Sequence, residues 1–157
     1  MAALATPLER AWALFVPRAI AGLMFVFAGA NKVVTVGAAA YAAHVAEASH
    51  MAFYFPGWAI YPVAYVTGFV ELLLGGLLAL GIRPRLAARA LGGMMVMTAA
   101  GYGLAGLIDP VGGVTAMDIR AVNAYILPRA ALLILYLMLP EEDDVMTAEK
   151  VVLPASK

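Results

Sequence analysis

Four long apolar stretches decide what this chain can become. They run from about Trp12 to Val36, Trp58 to Leu80, Leu86 to Ile108 and Ile119 to Leu139. Each is close to the ~20 residues that carry an α-helix across ~30 Å of hydrocarbon. None shows the polar face that a helix of a soluble bundle presents to water. Long unbroken runs also argue against a membrane barrel, whose strands are short and alternate. The expected fold is all-α, an integral membrane bundle of four transmembrane helices in a single domain, residues 1–157. Composition agrees: 13% of residues are charged, against about 25% in a typical soluble domain, and mean hydropathy is +0.91.

The connections differ in character. Residues 37–57 form the longest loop, and its alanine-rich part, Ala38 to Ser49, predicts a short interfacial helix at the outer surface. Phe53, Tyr54 and Phe55 then bring aromatic rings to the headgroup zone before Pro56 and Gly57 turn the chain. A tight turn, Gly81 to Arg85, joins spans two and three, and Asp109 to Asp118 joins spans three and four. Pro140 opens a polar tail, residues 140–157, that starts Glu141–Glu142–Asp143–Asp144. Ala28–Gly29–Ala30 resembles a signal cleavage site, but Arg18 interrupts the apolar region and the stretch runs on past it, so an uncleaved first span is expected.

Orientation follows from Lys and Arg near span ends. With four crossings, one side carries Arg10, Arg83, Arg85, Arg89, Lys150 and Lys157, the other only Lys32 and Arg120. Both termini are therefore expected in the cytoplasm of a bacterium, with the chain in its inner membrane. The acidic tail does not reverse this, because the rule counts positive charge.

Several chemistries are excluded by what the sequence lacks. Net charge is zero with no long basic run, so nucleic acid is not an expected partner. There is no cysteine, hence no disulfide framework, thiolate metal site or dithiol relay within the chain. The two histidines, His44 and His50, both lie in the first loop, which leaves no axial pair for a transmembrane haem. His44 and Glu47 read as a surface pair and not a metal site. Met94, Met95 and Met97 read as packing material. No covalent or metal cofactor is expected.

Ionisable residues inside a span are costly and usually face the bundle interior with a partner. Arg18, Glu71 and Arg129 are the candidates. Counting from the inner span ends at a rise of ~1.5 Å per residue puts Glu71 roughly 14 Å deep, Arg129 roughly 15 Å and Arg18 roughly 9 Å. The three are expected to meet. Phase agrees: Arg18, Gly22, Phe25, Gly29 and Lys32 form one stripe, as do Gly68, Glu71 and Gly75, and Tyr125, Arg129 and Tyr136. In span three, Gly92, Val96, Ala99, Gly103 and Gly106 share a face. Two arginines against one carboxylate leave a surplus positive charge suited to a small anion or a quinone carbonyl, with Tyr125 and Tyr136 beside it. The alternative is a salt-bridge knot that only sets helix register. Lys32, near the outer end, reads as snorkelling to the interface.

Arg18–Ala19–Ile20–Ala21–Gly22 with Gly29–Ala30–Asn31–Lys32, and the run Glu71 to Gly81 followed by Arg83–Pro84–Arg85, resemble the DoxX family of four-helix membrane proteins over about residues 15 to 105. That family includes the DoxD-type subunit of thiosulfate:quinone oxidoreductase. The resemblance implies a membrane subunit of a redox or respiratory assembly, with the lipid bilayer around it and an oxidoreductase or a second copy as partner. It carries the family's Arg and Glu onto Arg18 and Glu71. The related methylamine-utilisation and dithiol-relay branches look dependent on cysteines, which this chain lacks. Alternatives from other classes are a purely structural subunit and a small transporter.

Overall fold

The computed structural model describes residues 6–53, 56–108, 126–140, 144, 146 and 147, with side chains placed outside 48–53 and 100–108. The described residues are helical, with no strand among them.

Helix α1 spans Pro7–Ala30. Thr6 starts it with a capping box: Glu9 N–H donates to Thr6 Oγ1 at 3.3 Å and Thr6 N–H to Glu9 Oε2 at 2.6 Å. Both hydrogen bonds satisfy amides that a helix start leaves without partners. The helix continues as a π-helical turn, Asn31–Thr35. It stops at Gly37, whose φ of 89° reverses the chain.

Helix α2, Ala38–Phe53, follows at once. It does more than lie at an interface. Ala42 and Ala46 are buried, and the Ala46 methyl sits 3.9 Å from where a Cβ on Gly57 would be. One face of α2 is thus packed along the start of α3, while His44 and Glu47 stay exposed.

Helix α3, Gly57–Leu80, matches the expected second span almost residue for residue. Gly81 ends it in the left-handed conformation (φ 73°), donating to Leu78 O while Ile82 N–H reaches Leu77 O at 2.9 Å. Those two bonds satisfy carbonyls that the helix end would orphan. After Arg83, Pro84 opens α4, Pro84–Ile108. Helix α5, Leu127–Met138, is the described part of the expected fourth span. Two helices are long and apolar enough to cross a membrane, Pro7–Thr35 and Gly57–Leu80; Leu127–Met138 is apolar but shorter.

Helices α1 and α3 run antiparallel with their backbones nearly touching, and that seam is the widest in the molecule. A Cβ on Gly22 would lie 2.5 Å from Ala79 N, and one on Gly75 2.8 Å from Gly22 O. A Cβ on Gly29 would lie 2.6 Å from Gly68 O. Small residues earn this approach where lipid gives no hydrophobic drive to association. Beside the seam, Leu14, Ala21 and Phe25 of α1, Leu78 of α3, Ala87, Ala88, Leu91 and Met95 of α4, and Leu133 and Tyr136 of α5 form the core.

The packed face of α4 differs from the expected stripe. Val96 is 68% exposed and a Cβ on Gly92 would meet nothing within 4 Å. The buried face is Ala87, Leu91 and Met95, one position and so roughly 100° around the helix. Methyl-bearing residues fill that core, whereas glycines there would leave it hollow. Outward-facing Phe27, Leu73 and Trp58 complete a surface suited to lipid.

Candidate functional site

Two polar clusters stand at opposite ends of the α1–α3 seam. At the end where α2 joins (the loop end), Lys32 Nζ lies 2.5 Å from Glu71 Oε1. The Glu71 side chain is only 7% exposed and Lys32 20%. Tyr41 of α2 covers the lysine, with Nζ 5.2 Å from its ring centre. The other carboxylate oxygen, Oε2, is buried without a hydrogen-bond partner among the described residues.

At the end where α1 begins and α5 finishes (the tail end), Arg18 is buried beneath the chain's own acidic tail. Its Nη1 donates to Asp144 Oδ1 at 2.8 Å and its Nη2 to Met146 O. Tyr136 O–H donates to Asp144 Oδ2 at 2.7 Å. Both oxygens of one carboxylate are thereby held, and Arg18, Tyr136 and Asp144 are each 2% exposed or less. Arg85 stacks over Tyr136 at 5.5 Å and donates to Leu137 O and Leu139 O, closing the end of α5. Gly81 makes room: a Cβ there would fall 3.0 Å from the Arg18 guanidinium and 2.9 Å from Thr147 Cα.

The expected meeting of Arg18, Glu71 and Arg129 does not occur. Helical side chains lean toward their helix's N-terminus. Helix α1 starts at the tail end, so Arg18 leans out toward the tail, away from Glu71. Glu71 sits ten residues before the Gly81 turn that Arg18 touches, roughly 15 Å along α3. Glu71 pairs instead with Lys32, which is no snorkelling side chain. Arg129 stacks over Phe25, its Cζ 5.6 Å from the ring centre. Tyr136 belongs to the tail-end cluster, and Tyr125 lies outside the described residues. The phases assigned to α1 and α3 do hold: Arg18, Gly22, Phe25 and Gly29 are buried on one stripe, as are Gly68, Glu71 and Gly75.

Asp144, Lys32 and Arg85 were missed as site residues. Asp144 is the last of four consecutive acids in a tail that reads as solvated, and nothing local singles it out. Lys32 could have been found, since it shares the Arg18 stripe.

An open apolar groove of about 480 Å³ runs between α3 and α4 past Val63, Val66, Val70, Leu74 and Met94. Its hydroxyl, on Thr67, is turned back to Val63 O, so the groove offers lipid chains a surface and no polar chemistry.

Set against known protein families, residues 10–139 match methylamine utilisation protein MauE. The chain belongs to the MauE family. It is a membrane protein of a family tied to a redox system, and the DoxX resemblance is overturned. Glycines at seven-residue spacing with an Arg and a Glu are what any tightly seamed polar bundle needs, so they do not separate one small helical membrane family from another. The MauE match also takes in α4 and α5, where the DoxX likeness had faded. Lack of cysteine did not remove the chain from this branch. Neither a curated protein nor a solved structure matches the chain.

Proposed function

We propose that this MauE family member is an accessory membrane protein of a redox system for amine utilisation. It crosses the inner membrane four times with both termini in the cytoplasm, and holds an oxidoreductase partner that carries the cofactor. The family match across residues 10–139 is the observation that supports this most. The excess of Lys and Arg on the tail end supports the orientation. A quinone bound between the two guanidiniums and Glu71 has lost its geometry: Lys32 compensates Glu71, and Asp144 compensates Arg18. The same internal pairing favours a second reading, that the chain's polar clusters serve only to set helix register during assembly.

Affinity purification in mild detergent, from cells using an amine as nitrogen source, tests the proposal. Recovery of an oxidoreductase with the chain is expected; a lone homo-oligomer overturns it. Glu71→Gln separates the two readings. A protein that inserts and assembles but loses amine-dependent electron transfer supports a working site, and unchanged transfer supports the register role.

A further inference from the structure

We propose that Arg18 and Tyr136 form an oxyanion-binding site at the tail end of the bundle, whose resident ligand is the chain's own Asp144. The site is built and not incidental. Its guanidinium, phenol and bound carboxylate are all nearly inaccessible, and each carboxylate oxygen has its own donor. Arg85, stacked on Tyr136, adds positive charge. Sequence places the occupant on a short tether, eight residues from Tyr136.

The fit is incomplete. A carboxylate can take two parallel N–H bonds from a guanidinium, yet Asp144 takes one from Arg18 and turns its second oxygen to Tyr136. Arg18 Nε is left buried with no hydrogen-bond partner. An oxyanion with a third oxygen, such as a phosphoryl group, satisfies Nη1, Nε and the tyrosine hydroxyl together. A tethered ligand with imperfect hydrogen bonding is displaceable, because its hold rests on effective concentration as well as on contacts. The tail is therefore a latch over an inner-face site for a phosphate-type anion, free or on a lipid headgroup. The inference does not depend on which redox partner the chain serves.

The absence of native cysteine gives a clean test. Thr147 is buried beside Gly81, so Thr147→Cys in an otherwise native chain reports latch release through its rate of maleimide labelling. Inorganic phosphate titrated onto this protein in detergent is expected to accelerate labelling at least several-fold, whereas chloride at equal ionic strength does not. Adding Asp144→Ala is expected to raise the labelling rate about tenfold or more, and to lower the thermal midpoint, which phosphate or acetate then restores without slowing the labelling. Nanodiscs with and without phosphatidylglycerol distinguish the sources: acceleration by the lipid but not the free ion assigns the site to a headgroup. Labelling that responds to neither phosphate nor anionic lipid overturns the proposal. That measurement needs only the Thr147→Cys protein, so it stands even where Asp144→Ala fails to fold.

Discussion

Lys32 and Glu71 meet at 2.5 Å because their side chains lean toward each other along antiparallel helices. Lysine projects toward the start of α1 and glutamate toward the start of α3, and Gly29 and Gly68 bring the two backbones close enough for the pair to close. Arg18, on the same stripe of α1, obeys the same lean and is carried away from Glu71 to Asp144.

This pair should be strongly coupled. Lys32→Met alone leaves a mostly buried carboxylate uncompensated and is expected to destabilise the protein by about 3 kcal/mol, within the range for breaking buried pairs. The double change Lys32→Met with Glu71→Met should recover most of that loss. Thermal or denaturant unfolding of the four members of the cycle in detergent measures it; additive single effects would mean the two residues act independently.

The seam glycines should tolerate nothing larger. Gly29→Ala sets a methyl 2.6 Å from Gly68 O and is expected to cost about 1–3 kcal/mol, as overpacking does. Gly92→Ala meets nothing within 4 Å and should be neutral or stabilising by up to about 1 kcal/mol, from helix propensity. Unfolding midpoints compare the two directly.

Tyr136→Phe removes one of two donors to Asp144 while keeping the ring in the core. A loss of about 1–2 kcal/mol is expected, the usual effect of taking a partner from a buried acceptor. If the variant unfolds like the native protein, the phenol hydroxyl is not holding the tail.

Gly81 bears two demands at once. Gly81→Ala must place a side chain at φ 73° and within 3.0 Å of the Arg18 guanidinium. Destabilisation should exceed the ~1 kcal/mol of a left-handed alanine alone, and combining it with Arg18→Ala should relieve the excess. A cycle without coupling would show that the turn and the arginine are independent.

Topology is testable in the cysteine-free background. Glu47→Cys on the exposed face of α2 is expected to react with an impermeant maleimide from outside intact spheroplasts, and Lys150→Cys only after permeabilisation. The reverse pattern would invert the proposed orientation.

Much of the architecture was legible in the amino-acid order, because hydrophobic length and glycine spacing are local properties. The boundaries of α3, the buried stripes on α1 and α3, and the turn at Gly81 follow from a residue's near neighbours and from the periodicity of one helix. The face of α4 was not legible, since small residues can mark a tight seam or an empty flank. Which one holds is set by the neighbouring helix. The partners of the buried charges were the least legible part. Depth and phase put Arg18, Glu71 and Arg129 within apparent reach, but direction of lean in antiparallel helices sent Arg18 and Glu71 apart. Asp144 came to Arg18 from a distant, acidic stretch of chain. Only the folded tail could decide that, because the stability of an ion pair depends on where the backbone places both charges and on how little water remains between them.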